Sequence, residues 1–308
     1  MKTGIVVKST GSWFDVRDES GHITNCKIKG KFRTANIRTT SPVAVGDNVS
    51  FDYEDNNTGV ITEISERRNY IIRKASNLSK ESQVIAANID QVFLIVTLKM
   101  PETTTMFIDR FLITAEAYRI PTTIIFNKID IYNDVIKERL NDLNKMYSSI
   151  GYKCIEISVL EHIHIESLKS ELINKTTLIS GNSGVGKSSL INKIDPIITQ
   201  KTGIVSKSHN KGKHTTTFAE MFELTSGGYI IDTPGIKGFG LIDFDKYDLY
   251  HYFPEIFRVA ASCQYNNCIH VNEPKCAVKN AVENGIISEE RYYNYLTILH
   301  QDDEKYRK

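Results

Sequence analysis

No run of apolar residues in the sequence is long enough to cross a bilayer. The strongest, "VFLIV" at 92–96, falls far short of the roughly 20 residues that a spanning helix requires. The opening residues, "MKTGIVVKSTGSW", hold neither a sustained apolar core nor a small-residue cleavage site. No secretory leader and no membrane partner are therefore expected, and the expected location is cytoplasmic. Net charge is scarce as well: 38 Lys and Arg against 37 Asp and Glu leave a formal +1. Bulk electrostatics then gives no ground for nucleic-acid binding, and any basic surface must be local. Cysteine is sparse and odd in number, five in all with three of them inside residues 263–276. That count argues against a disulfide framework and fits a reducing compartment with a metal site. Internal repeats and low-complexity tracts are missing too.

What is present is an ordinary globular composition, 41% hydrophobic and 24% charged over 308 residues, enough for two or three domains with a buried core. Two local stretches are basic and free of acid. Residues 27–38, "KIKGKFRTANIR", carry five Lys or Arg, and residues 196–219 hold Lys201, Lys207, Lys211 and Lys213.

Residues 1–72 read as five short strands, "GIVVKS", "WFDVRD", "ITNCKIKG", "NVSFDYE" and "GVITEIS", punctuated by turn residues. Five strands suggest a small all-β barrel of the OB-fold kind, which often binds oligonucleotides; an SH3-like barrel serving as a spacer is the competing reading. From about residue 85, apolar strands alternate with helical periodicity: strands at 91–98, 122–127, 153–158 and 176–180, helices at 105–119, about 133–149 and near 164–174. This predicts a doubly wound, mainly parallel α/β sheet, to which "FAEMFEL" and "YIIDT" add strands. After about 240 the chain reads as helical around a Cys/His cluster. The expected organisation is multidomain: 1–72 barrel for RNA binding, 73–240 α/β nucleotide domain, 241–308 mainly α metal-binding domain.

"GNSGVGKSSL" at 181–190 has the Gly-x4-Gly-Lys-Ser spacing of a P-loop. With Gly near 7% of ordinary usage, chance produces such a match in about one chain in a hundred of this length. Context sharpens it, because the strand "TTLIS" enters the loop and the helical "SSLINKI" leaves it. Gly181, Asn182, Ser183, Gly184, Val185 and Gly186 would turn backbone N–H groups on the α- and β-phosphates. Lys187 would neutralise the β- and γ-phosphates, and Ser188, with Ser189 beside it, would offer a hydroxyl to Mg²⁺. "IIDTPG" at 230–235 supplies Asp232 for the Mg²⁺ shell and the Gly235 N–H for the γ-phosphate.

"NKID" at 127–130 follows the apolar "TTIIF". The Asp130 carboxylate offers two acceptors to guanine N1–H and its exocyclic amine, whereas adenine has an acceptor at N1 and no amine there. Asn127 would brace the loop and Lys128 would lay its methylenes along the base. Ser158 stands at the end of the next strand, where a further base-side loop is expected. These base-reading residues precede the phosphate loop, the reverse of the usual chain order. A circularly permuted domain reconciles the two, since domain termini often lie close together.

Many GTPases place Gln after the D-x-x-G glycine to orient water; here Ile236 stands there. The substitute is sought in "KGKHTTT" at 211–217: one threonine, best Thr216, to coordinate Mg²⁺ and sense the γ-phosphate, and His214 to position water, unless it is a solvated loop histidine. Cys263, Cys268, His270 and Cys276 form C-x4-C-x-H-x5-C, a set suited to one closed tetrahedral structural Zn²⁺.

Taken together, the barrel with "GDNVSF", then "NKID", "GNSGVGKSSL", "GKHTTT", "DTPGIKGF" and "C-x4-C-x-H" followed by "EPKCAV" resemble the circularly permuted ribosome small-subunit-dependent GTPase A family (RsgA or YjeQ), over essentially the whole chain. Lys275 stands where that pattern has glycine. The resemblance implies an OB-fold, a permuted GTPase core binding GTP or GDP with Mg²⁺, and a zinc domain. It implies His214 as the hydrolytic histidine and Thr216 as the switch threonine, and activity late in small-subunit assembly, stimulated by that subunit, with the subunit and its 16S rRNA as the expected partners. A monomer that does not bind DNA is expected. The alternative is a GTP-gated protein-binding module, such as a metal-delivery or enzyme-maturation GTPase, against which the two acid-free basic stretches argue.

Overall fold

The computed structural model describes residues 1–28, 42–55, 58–74, 82–198, 219–232 and 247–305. The N-terminal strands are β1 (Lys2–Ser9), β2 (Phe14–Asp18), β3 (Ile23–Ile28), β4 (Asn48–Tyr53) and β5 (Thr58–Ile64). Alternation makes them strands: in β2, Phe14, Val16 and Asp18 turn inward while Asp15 and Arg17 stay partly exposed. Strand β1 pairs with β2, β2 with β3, β3 in parallel with β5, β5 with β4, and β4 back with β1. That closed ring of five, with its one parallel pair, is the OB-fold order and not that of an SH3-like barrel. Phe14, Val16, Cys26, Val49, Phe51 and Ile61 fill it.

A hairpin follows that the sequence pattern does not announce. Strands β6 (Tyr70–Lys74) and β7 (Ser82–Ala87) pair antiparallel, and Ala86 bridges to Val45 beside the barrel. The 72/73 boundary drawn from sequence cuts through β6.

The central sheet is β10 (Lys153–Glu156), β9 (Thr122–Phe126), β8 (Gln91–Val96), β11 (Thr176–Ser180), β13 (Tyr229–Asp232) and β12 (Glu220–Glu223), in that spatial order. The first five are parallel and β12 runs antiparallel at the end. Every residue of β8 and β9 is buried, as expected of strands covered on both faces. Val92, Leu94 and Val96 face helices α1 (Thr105–Ala117) and α2 (Asp134–Ile150), while Phe93 and Ile95 face α3 (Ile165–Ser170) and α4 (Lys187–Ile194). The phosphate-loop strand β11 lies between β8 and β13, although β8, β9 and β10 all precede it in the chain. This is the spatial meaning of the permuted order.

Beyond residue 246 come a single turn of 3-10 helix at Leu249–Tyr252 and helices α5 (Pro254–Ala260), α6 (Ala277–Glu283) and α7 (Glu289–Lys305). Phe253, Ile256, Val278, Tyr295 and Ile298 pack with Ile113 of α1. At that junction Arg291 donates to Asp109 Oδ1 at 2.6 Å and to Glu255 Oε1 at 2.8 Å, and Asn294 donates to Asp109 Oδ2 at 2.6 Å. Arg291 and Asp109 are fully buried. Among the described residues, no helix is long and apolar enough to cross a membrane.

Candidate nucleotide site and metal centre

Strand β11 delivers the chain into the 181–186 loop, and two glycines there are sterically obligatory. Gly181 has φ +141° and a Cβ on it would lie 2.2 Å from the Ile95 carbonyl; Gly186 has φ +101° and a Cβ would lie 2.4 Å from Asn127 Nδ2. The second clash is informative, because Asn127 belongs to the loop expected to read the base. Its buried side chain donates from Nδ2 to the Val185 carbonyl at 2.8 Å. Lys128, in the left-handed region at φ +66°, donates from Nζ to the Gly184 carbonyl at 2.8 Å and to the Met100 carbonyl at 2.5 Å. The two loops, far apart in sequence, thus wall one site.

Asp130 lies in the short turn Ile129–Ile131 with its side chain exposed. Its Oδ1 accepts from Ser158 Oγ at 2.5 Å, and Ser158 Oγ in turn accepts from the Glu161 amide at 3.0 Å. Ser158 is fully buried, so it orients the carboxylate from behind. On the phosphate side, Lys187 Nζ donates to the carbonyls of Gly181 and Asn182, each at 2.7 Å. Burial pushes its pKa down, and the charge of Asp232 pushes back. Asp232 ends β13 in register with Ile179, one residue before the β11 terminus. Ser188 and Ser189 occupy the first turn of α4, whose N-terminal amides suit an anion. A loop with glycine at 181, 184 and 186, a helix N-terminus and a lysine together fit a polyphosphate. His214, Thr216 and Gly235 lie outside the described residues.

The second cluster joins ligand atoms of Cys263, Cys268, His270 and Cys276, all within 4.8 Å of one another. His270 Nδ1 lies 3.6 Å from Cys263 Sγ and 3.5 Å from Cys276 Sγ, and those sulfurs are 3.9 Å apart. Bonds of about 2.3 Å to sulfur and about 2.0 Å to nitrogen would give a tetrahedron edges of about 3.8 and about 3.5 Å. The donor set therefore fits zinc. Burial pushes the Cys268 thiol up to about 12, so ionisation there calls for a cation.

Residues that the sequence pattern does not flag hold the metal loop. Glu273 accepts from the Ile269 amide at 2.7 Å and the Val271 amide at 2.8 Å. Burial raises its carboxyl pKa, but these and further backbone donors outweigh that and hold it below the usual range. Tyr292 and Tyr295 of α7 donate to the His270 and Ile269 carbonyls at 2.6 and 2.7 Å. Lys275 takes φ +54° and His270 φ +62°.

Two family models match the chain: RsgA N-terminal domain over residues 3–61 and RsgA GTPase over residues 64–242. The chain belongs to the RsgA GTPase family. Among curated relatives, the Small ribosomal subunit biogenesis GTPase RsgA of Phocaeicola vulgatus is 55% identical over 305 residues, spanning 99% of this chain and 98% of that one. The protein of the same name from Flavobacterium psychrophilum is 52% identical over 308 residues, 99% of this chain and 94% of that one. Among solved structures, YjeQ from Thermotoga maritima superposes with a TM-score of 0.79 at 36% identity, covering 97% of this chain and 98% of that one. YloQ, described as a circularly permuted GTPase, gives 0.75 at 29% identity, covering 99% and 96%. As an RsgA GTPase the chain takes GTP and GDP with Mg²⁺, and its Cys/His centre is able to hold one zinc ion.

Proposed function

We propose that this chain hydrolyses GTP in late maturation of the small (30S) ribosomal subunit, engaging the subunit and its 16S rRNA with GTP bound and leaving after hydrolysis. The observation that carries the nucleotide half is the Asn127–Val185 hydrogen bond, which sets the guanine-reading loop on the phosphate loop. The relatives that match over nearly their whole length, both small ribosomal subunit biogenesis GTPases, support the ribosomal half. Asp130, steadied by Ser158, reads the guanine edge; Lys187 and the amides of residues 181–189 hold the phosphates. Mg²⁺ bound by Ser188, Asp232 and Thr216 would offset charge on the β- and γ-phosphates. His214 orients the attacking water in place of the glutamine that Ile236 displaces. Without the subunit to complete that arrangement, turnover is slow.

The acid-free basic stretches 27–38 and 196–219 support rRNA contact, with the barrel and the zinc domain as the docking elements, in a cytoplasmic monomer that does not bind DNA. Phosphate release measured with and without small subunits tests the reading. Stimulation by subunits, abolished by Lys187→Ala, is expected. Equal rates with and without subunits would overturn the ribosomal assignment, and subunit binding indifferent to salt would overturn the rRNA contact.

A further inference from the structure

Tyr132 ends the run "NKIDIY" and belongs to none of the nucleotide-binding motifs. Its ring is buried, 5% exposed, in the core beneath α1 and α2. Its hydroxyl makes two hydrogen bonds: it donates to the Asn127 carbonyl at 2.7 Å and accepts from the Leu98 amide at 2.8 Å. The last register pair of the β8–β9 ladder is Val96 with Phe126, and the Asn127 amide still donates to the Val96 carbonyl. One residue further, the two chains diverge around the site. The phenol hydroxyl spans the gap just where backbone pairing stops.

Both chains that it joins touch the nucleotide pocket. On one side follow Asn127, Lys128 and Asp130. On the other, residues 97–103 curl into a compact loop, with Thr97 Oγ1 donating to the Pro101 carbonyl at 2.5 Å and the Thr103 amide to the Thr97 carbonyl at 2.8 Å. That loop offers the Met100 carbonyl to Lys128, which also holds Gly184. Lys128, and Asp130 two residues on, thus sit beside two loops that this hydroxyl joins.

We propose that Tyr132 is a positioning residue for purine selectivity: its hydroxyl fixes the 127–130 loop so that the Asp130 carboxylate meets the exocyclic amine of guanine. This rests on the reading of the site as a guanine-nucleotide pocket. Burial pushes the phenol up to about 12, so the hydroxyl remains a donor at neutral pH. Removing it leaves the Leu98 amide and the Asn127 carbonyl without that partner, and the loop can shift where selectivity is read.

The test is a titration of the full-length protein with GDP and with inosine diphosphate, which lacks the exocyclic amine. Tyr132→Phe is compared with Tyr152→Phe, another buried tyrosine whose hydroxyl donates to Glu116 instead. Tyr132→Phe should lower the GDP preference about fivefold to tenfold and raise the KM for GTP with little change in kcat, while Tyr152→Phe keeps the wild-type preference. An unchanged preference in Tyr132→Phe overturns the proposal whatever happens to Tm, and so does an equal loss in both variants. A wild-type protein that binds neither diphosphate would instead refute the underlying assignment of the pocket.

Discussion

Asn127 Nδ2 and the Val185 carbonyl meet at 2.8 Å across 58 residues of chain. One amide therefore belongs to the purine side by sequence and to the phosphate side by contact. Asn127→Ala should weaken GDP and inosine diphosphate alike, by about tenfold or more, because it loosens the loop that grips what both ligands share. Equilibrium titration of each ligand checks this, and a loss confined to GDP would contradict it.

Asp130 makes the complementary case. In Asp130→Asn one carboxylate acceptor becomes an N–H donor, which suits the 2-carbonyl of xanthine and opposes the 2-amine of guanine. The variant should prefer XTP to GTP in competition assays. Retained preference for GTP would show that Asp130 does not read that edge.

Arg291 is fully buried between Asp109 and Glu255. Burial drives the Asp109 carboxyl pKa up while Arg291 pulls it down. Arg291→Met leaves two carboxylates facing each other in the junction between α1 and the C-terminal helices. A loss on the order of 3–5 kcal/mol is expected from equilibrium denaturation; a loss below about 1 kcal/mol would mean that the junction readmits water.

Lys275 holds φ +54°, a conformation that favours glycine. Lys275→Gly relieves that backbone cost and gives part of it back through a freer unfolded chain, for a net gain on the order of 0.5–1 kcal/mol. Slower zinc release to a chelator and a higher Tm are the expected readouts. Faster release would show that the lysine side chain contributes to the loop.

Asp18 caps the β2–β3 turn. The Ser20 hydroxyl lowers its carboxyl pKa most; burial opposes this, and Lys2 and the His22 amide add to the lowering, to about 2. A depressed folded pKa stabilises the protein above the unfolded value of about 3.9 and loses that contribution as pH falls through the folded one. The Tm gap between wild type and Asp18→Asn should be widest at pH 5 and above, and should narrow between about 4 and about 2. A gap independent of pH would rule out the ionised carboxylate as its source.

The parts of the site legible in sequence are those that the ligand dictates. A phosphate loop calls for glycines and a lysine at the spacing of Gly181, Gly186 and Lys187, the proposed guanine contact calls for a carboxylate such as that of Asp130, and a tetrahedral zinc calls for sulfur and nitrogen donors close together. What stayed hidden depends on where the chain goes rather than on residue type. Nothing in "NKID" says that Asn127 will find the Val185 carbonyl, or that Tyr132 will brace the loop from below. Arg291 reads as a solvated helix residue, since arginine is rarely buried without partners, and its partners lie 182 and 36 residues away. Strands β6 and β7 escaped because the stretch between them, "ASNLSKE" at 75–81, is polar and carries no glycine or proline to mark a turn. In the barrel, strand count was legible, but only the parallel β3–β5 pairing distinguishes the OB-fold from another small barrel.

Strand β1 does more than begin the barrel. It borders β2 and β4, and at its far end Lys8 pairs with Glu220 of β12 by backbone register and by a 3.2 Å ion pair, so barrel and nucleotide domain share an eleven-stranded sheet. The first nine residues are therefore a seam. Trimming them would unzip the barrel and at the same moment free the Glu220 end of β12 for strand addition by a neighbouring copy. A shortened protein would be driven toward self-association, and an engineer seeking a minimal enzyme should leave β1 intact.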